Sequence, residues 1–383
     1  MRMNSMSAIL SLTDASNQDL KPLTRIRPVA SLPFAARYRA IDFALSNISH
    51  AGIDSVAIFI GGSGRSIYDH IRSGSTWDLE SGLRGGIFTY SQTFLKQRMD
   101  DEGFDERDFY KNHRDFLEKS RTEFVVIGSG RMITKLDLIN LKDFHSIKNG
   151  EITVIYKNVP AEDVRDRQYE RVVELDAKGN VTRLVQSGDW DFTEDTVAQS
   201  LNIYVLTVNK MLEILERAGK EGIQMDIDRL VAYYSQFYNA QGFEYTGPLM
   251  NLDSIQSYYK ANMDLLDTKN YHDLFLRGNN VITKVKNEPP TYYSEHATIT
   301  KSIFATGSYI EGKVNHSMIF RRVKIGKNAE VNHSIVMQGS KIGEGAVLEY
   351  CVLDKNVIVE PGAIIKGTKD KVVVIEKNRT VTA

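Results

Sequence analysis

The chain has 383 residues, 42% of them hydrophobic, enough to fill the cores of two or three domains. A formal net charge of −1 excludes a global attraction to nucleic acid or to an anionic membrane, and a single cysteine, Cys351, excludes an intrachain disulfide framework or a multi-cysteine metal site. The opening MRMNSMSAILSL turns polar too early for a spanning helix or a secretory signal, so a reducing, cytoplasmic setting is expected.

Short apolar runs rich in Ile, Leu and Val occur at Ser7–Leu12, Ser55–Ile60, Glu123–Ile127, Ile152–Tyr156 and Ile203–Val208. Such runs suit strands buried on both faces. Helical patterns alternate with them at Asp42–Ala51, Ile67–Ser73 and Asp108–Lys119. The alternation predicts an α/β domain of Rossmann-like type with a mostly parallel sheet. Ligands of such sheets gather at the carboxyl ends of the strands, which draws attention to the loops after Leu12, Ile60 and Ile127.

The segment Asp253–Asp267 reads as a helix, and NEPP (Asn287–Pro290) then breaks regular structure. Beyond it the pattern changes. VNHS occurs at Val314–Ser317 and again at Val331–Ser334, an offset of 331 − 314 = 17. Ile325-Gly326 and Ile342-Gly343 repeat at the same offset, and Ala329, Ala346 and Ala363 continue it. Aliphatic residues also recur at six, as in Ile325 and Val331, or Ile342 and Leu348. Hexads grouped in threes predict a left-handed parallel β-helix whose coils bury one another's aliphatic positions. The expected division is therefore an α/β domain over 1–250, an interdomain helix and linker over 251–290, and a hexapeptide β-helix over 291–383.

With these pieces placed, the sequence resembles bacterial glucose-1-phosphate adenylyltransferase over nearly its full length. YRAIDFALSN (Tyr38–Asn47) followed by Gly52-Ile53, SYYKANMDLL (Ser257–Leu266) and the hexapeptide region carry the resemblance. The family joins ATP and glucose 1-phosphate into ADP-glucose and pyrophosphate for glycogen or starch synthesis. The departures fall at the chemistry. Where the family has a glycine-rich phosphate loop, GGxGxRL, this chain has Ser11–Leu20 with no glycine and no cation, but with Asp14 and Asp19. In the next motif Arg27 is kept, Val29 and Ala30 replace lysine and proline, and Ala35 and Ala36 replace two glycines, with Arg37 and Arg39 preserving positive charge.

The resemblance places the family's two metal-binding aspartates at Arg131 and Asn251. Magnesium needs hard anionic oxygens, and a guanidinium has no lone pair to offer. Gln186 and Ser187 stand where the family holds the sugar with an acid and its phosphate with a lysine. Loss of all these groups together resembles the GlgD-type branch of the family, whose members are partner subunits of a catalytic chain. The resemblance thus implies a regulatory subunit with little activity alone. It would have no catalytic residue and no metal of its own, with magnesium in the catalytic partner and a hetero-oligomer, expected to be a tetramer, as the working form. Two other readings stand beside it. One is an active, divergent nucleotidyltransferase with Asp253 rebuilding the metal site; the other is a hexapeptide acyltransferase using His316 or His333 as base. The repetition of those histidines at one solenoid position argues for stacking instead.

Several cations remain candidates for a phosphorylated effector: Arg25, Arg27, Arg37 and Arg39, with Arg321 and Arg322 from the solenoid, and Arg65 and Arg131 after strands. Arg131 either meets a phosphate without magnesium or closes on Asp14 or Asp19 as an internal ion pair, and the second reading is favoured. GGSGRS (Gly61–Ser66) reads as a strand-to-helix turn before it reads as an anion nest, and AYYSQFY (Ala232–Tyr238) as packing before base stacking. No partner of nucleic acid or membrane is expected.

Overall fold

A computed structural model describes residues 5–13, 18–80, 82, 85–92 and 109–383. The chain divides into two compact units, one of Met1–Ala15 and Ala44–Gly247, the other of Ser16–Phe43 and Pro248–Ala383. Residues 16–43 therefore belong with the C-terminal part and not with the α/β domain that surrounds them in sequence.

The first unit is built on a nine-stranded sheet. Its strands are β1 (Met6–Leu12), β2 (Ser55–Ile60), β3 (Gly86–Ser91), β4 (Phe124–Ser129), β5 (Ile152–Pro160), β6 (Arg171–Leu175), β7 (Val181–Gln186), β8 (Thr196–Thr207) and β9 (Ala240–Glu244). The order is β7-β6-β8-β4-β1-β2-β3, with β5 also on β8 and β9 on β5. β4, β1, β2 and β3 run parallel, as the alternation predicts. Their apolar sequences follow from burial on both faces: every residue of β1, β2 and β4 is buried. Strand β8 enters antiparallel to β4, β5 and β6. It is twice as long as the run Ile203–Val208 suggests, because Gln199, Ser200 and Asn202 interrupt the apolar pattern while remaining inside the sheet. The helices Val208–Lys220 and Ile227–Tyr234 press Met211, Ile214, Leu215, Leu230 and Val231 onto Ile127, Val154, Tyr204 and Leu206 of the sheet. Predicted helices are present at Ala40–His50, Arg65–Ile71 and Lys111–Ser120; Asp108 lies outside the described residues. In the AYYSQFY run the side expected to pack, Tyr233 and Phe237 with Leu230, is only partly buried: Leu230 is buried but Tyr233 and Phe237 are exposed, and the ring that packs fully is Tyr234.

In the second unit the 17-residue offset is a physical stacking distance. Val314 pairs with Val331, Val331 with Leu348 and Leu348 with Ile365 in one parallel sheet. Ile325, Ile342 and Val359 stack in a second sheet, and Ile319, Val336 and Leu353 in a third. These residues form one buried core with Ala329, Ala346 and Ala363. The VNHS repeat resolves position by position. The valine enters the core. The histidine occupies a corner with left-handed backbone (φ 46° at both His316 and His333), continued by Tyr350 (φ 50°). The serine hydroxyl turns inward, where Ser317 Oγ accepts from Ser334 N and Ser334 Oγ accepts from Cys351 N. The corner rings stack, His316 on His333 and His333 on Tyr350, both at 4.8 Å. Stacking accounts for the repeated histidines.

Residues 16–43 of this unit are tied to its helix Ile255–Met263. The Tyr258 hydroxyl donates to Pro33 O at 2.5 Å, and Asn262 Oδ1 accepts from Ala35 N at 3.0 Å. Ala35 and Ala36 both adopt left-handed φ (49° and 59°), a conformation that glycine takes without penalty and alanine does not. Among the described residues no helix is long and apolar enough to cross a membrane.

Candidate functional site

Strand β4 ends at Ser129, and the next turn carries Arg131 into the protein interior with a side chain 4% exposed. A buried guanidinium must be paired, because desolvation costs far more than an unpaired cation returns. Its partner is Glu170, immediately before β6, whose carboxylate is fully buried. Of the partners expected for it, Asp14 lies outside the described residues; among the described residues Arg131 pairs with Glu170. Gln199 on β8 donates to the second carboxylate oxygen at 2.6 Å, and Tyr169 O accepts from Arg131 at 3.2 Å. These contacts satisfy the carboxylate from two sides.

A divalent ion would need carboxylate oxygens here. At position 131 the protein presents a guanidinium already bound to the nearest carboxylate, so these residues do not fit a magnesium site. Asn251, in the strand Met250–Asn251, and the buried, partnered Asp253 belong to the second unit. Of the positions aligned with sugar-phosphate recognition, Gln186 is exposed at the end of β7. The hydroxyl of Ser187 is consumed by Arg167 O at 2.7 Å. Arg65 is exposed at the start of its helix and lies 3.8 Å from Asp69, so the GGSGRS turn brings no second cation into play.

The second unit behaves differently. Six of the eight candidate arginines fall in it, and the fold gathers most of them. Arg27 is buried and donates to Asp354 at 2.8 Å and to Leu23 O at 2.9 Å. Arg25 is exposed and pairs with Glu376. Arg321 and Arg322 share one acid, Glu288, at 3.4 and 3.5 Å. Asp42 accepts from Arg39 N and from the Thr283 hydroxyl. Two lysines that the motif reading passes over join them. Burial pushes the Lys355 ammonium down to about 7, with Arg39, Arg27 and Lys286 adding repulsion against the one favourable acid, Asp354. Lys286 is also lowered by burial, with Arg321, Arg39 and Arg322 bearing on it and Glu288 opposing them. Arg321 is lowered too, first by burial; Glu288 and Asp42 oppose the shift, while Arg37 and Arg322 reinforce it. Cations thus outnumber the acids that face them, and three of them resist their own charge. That is the electrostatic condition of a site shaped for an anion.

Comparison with known proteins agrees with this anatomy. Residues 16–268 match the family described as "Nucleotidyl transferase", and residues 290–376 the family described as "GlmU-like, C-terminal hexapeptide". The chain is 31% identical to "Glycogen biosynthesis protein GlgD" of Bacillus subtilis (strain 168), across 98% of this chain and 96% of the relative. Identity to the protein of the same name in Geobacillus stearothermophilus is 33%, across 96% of each. "Glucose-1-phosphate adenylyltransferase" of Clostridium novyi (strain NT) is 28% identical over 81% of this chain and 80% of its own length. The chain therefore belongs to the nucleotidyl transferase family, among the GlgD proteins and glucose-1-phosphate adenylyltransferases of glycogen biosynthesis.

Proposed function

We propose that this chain is a regulatory subunit for glucose-1-phosphate adenylyltransferase, without substantial activity of its own, working in a hetero-oligomer with a catalytic homologue. The observation that carries the reading is the buried Arg131–Glu170 pair, a guanidinium held on a carboxylate at the position the resemblance gives to a metal-binding acid. Pyrophosphate departure needs a divalent ion beside the triphosphate, and no ion is held by a guanidinium. The magnesium of the reaction is assigned to the catalytic partner. The basic cluster around Arg39, Arg321, Arg322, Lys286 and Lys355 is the proposed receptor for a phosphorylated effector, since arginine forks suit phosphate oxygens and the cluster carries unbalanced charge. A cytoplasmic location follows from that pathway.

The test is ADP-glucose formation from ATP, glucose 1-phosphate and magnesium. The purified chain alone is expected to give a rate near background. Mixed with a catalytic homologue from the same cell, it is expected to change that enzyme's rate or its response to phosphorylated effectors. Robust turnover by the chain alone overturns the non-catalytic assignment. An unchanged rate and effector response in a complex verified by sedimentation overturns the regulatory one.

A further inference from the structure

The residue after Glu170 is itself a buried arginine. Arg171 begins β6 and is nine-tenths buried. Its guanidinium donates to Asn202 Oδ1, and among the described residues no carboxylate forms an ion pair with it. Glu170 immediately precedes the strand, and its carboxylate is engaged by Arg131 and Gln199. The pairing places Gln199 opposite Val172, which sets Ser200 opposite Arg171 and keeps Ser200, Asn202 and Tyr204 on Arg171's face. Tyr204 pairs with Ile127, and Ser129, two residues along β4, lies on the same face as Ile127.

Three buried polar atoms on this face have no hydrogen-bond partner among the described residues: Ser129 Oγ, Asn202 Nδ2 and the Tyr204 hydroxyl. The phenol leans toward Ser200 without a bond of normal geometry, while Ser200 Oγ accepts from Asn202 N. Asn202 sits where the β8 register shifts, with φ 53°, a left-handed conformation that asparagine tolerates better than most side chains. Its amide oxygen is used by Arg171, so its nitrogen is left only to donate. Arg171 can only donate, and the two hydroxyls are able to. Asp228, from the helix Ile227–Tyr234, bears on Tyr204, as do Arg131 and Arg171, yet makes no ion pair with Arg171 among the described residues.

A buried cation without a counter-charge, ringed by unused donors, is complementary to a small anion. We propose that Arg171, Asn202, Tyr204 and Ser129 form a binding site for a tetrahedral oxyanion inside the α/β unit. This site is independent of the basic cluster in the second unit and does not rest on the regulatory reading.

The experiment uses the full chain carrying Lys286→Gln and Arg322→Gln, which silences the other cluster, with inorganic phosphate and sulfate as probes. Saturable binding of one anion is expected by calorimetry, with a matching rise in Tm at up to about 10 mM ligand. Tyr204→Phe and Asn202→Gly each remove one donor, and glycine accepts the left-handed backbone. Each is expected to weaken the anion at least fivefold, and Arg171→Gln more. The unliganded Tyr204→Phe protein is expected to be no less stable than its parent, because an unpaired hydroxyl has been removed. Absence of anion-dependent stabilisation overturns the proposal. So does binding that Tyr204→Phe and Asn202→Gly leave unchanged, or a crystal grown in phosphate that shows only a water among these donors.

Discussion

The two units treat buried charge in opposite ways. In the α/β unit, Arg131 meets Glu170, and Gln199 donates to the other carboxylate oxygen. In the second unit, Arg27 finds Asp354, but among the described groups the cations Arg39, Arg321, Arg322, Lys286 and Lys355 outnumber Glu288, Asp42 and Asp354. A carboxylate matched to its guanidinium lessens the need for a ligand, whereas an excess of cations is lowered in energy by one. On the reading proposed above, the first arrangement fills a metal position and the second receives the effector.

The largest effect should come from breaking the buried pair. Removing one partner of a buried ion pair costs about 3–5 kcal/mol, because the other charge stays buried and unpaired. Glu170→Gln is expected to fall in that range by urea unfolding. Arg131→Asp should do at least as much harm, since it sets a second carboxylate beside Glu170. Restoring the aspartate is therefore expected to destabilise the chain without reviving ADP-glucose synthesis. The double replacement Arg131→Met with Glu170→Leu should be far milder than either half. Similar losses in the double and single variants would show that the pair is not coupled.

Next in size is the loss of anion affinity from the open cluster. A hydrogen bond to a charged group contributes about 1.5–3 kcal/mol, which corresponds to roughly 10- to 100-fold in affinity. Arg39→Gln and Arg322→Gln are each expected to weaken inorganic phosphate by about tenfold in equilibrium dialysis, whereas Arg25→Gln should do little because Arg25 pairs with Glu376 and is not among the charges that bear on Lys286, Arg321 or Lys355. Equal effects at all three positions would mean that no focused site exists.

The same cluster predicts a pH dependence. Lys355 is held near 7 by burial, below the ordinary lysine value. Between those two values the unfolded chain binds a proton that the folded chain does not, so stability rises with pH across that window and is flat below it. Lys355→Met should flatten the slope in pH-dependent unfolding. An anion seated in the cluster favours the charged lysine, so its binding near pH 8 should take up a proton. Calorimetry in buffers of different ionisation enthalpy measures that uptake, and a buffer-independent heat would count against it.

Sequence made one unit almost fully legible and the other only in part. In the β-helix each side chain's place follows from its offset: Val331 must stack on Val314, so periodicity alone exposes the core. The parallel strands of the α/β unit were visible for a similar reason, being continuously apolar. β8 was visible only at its end, because the stretch before it carries Gln199, which binds Glu170, Asn202, which binds Arg171, and Ser200, whose hydroxyl accepts from Asn202 N. Polar residues that serve buried charges erase the pattern by which a strand is recognised. Arg131 was picked out by its departure from a motif, yet its partner lies 39 residues away with no local signal. Lys286 and Lys355 carried no motif at all; only the folding of 16–43 onto the second unit brings Arg27 and Arg39 to them.

The smallest expected effect lies in that same segment. Ala35 and Ala36 hold left-handed φ in a turn anchored through Asn262 and, two residues earlier, through Tyr258 and Pro33. An alanine Cβ in this region costs about 1–2 kcal/mol per residue, and glycine returns part of that as extra freedom in the unfolded chain. Both alanines are buried, so losing a methyl also loses some packing. The balance favours Ala36→Gly by roughly 0.5 kcal/mol in urea unfolding, within the range typical of such exchanges. A destabilisation of more than about 1 kcal/mol would instead make packing the dominant role of these methyls. Two alanines would then stand in the turn because the unit needs their volume, and their strain would be the consequence of filling space between the segment and its helix.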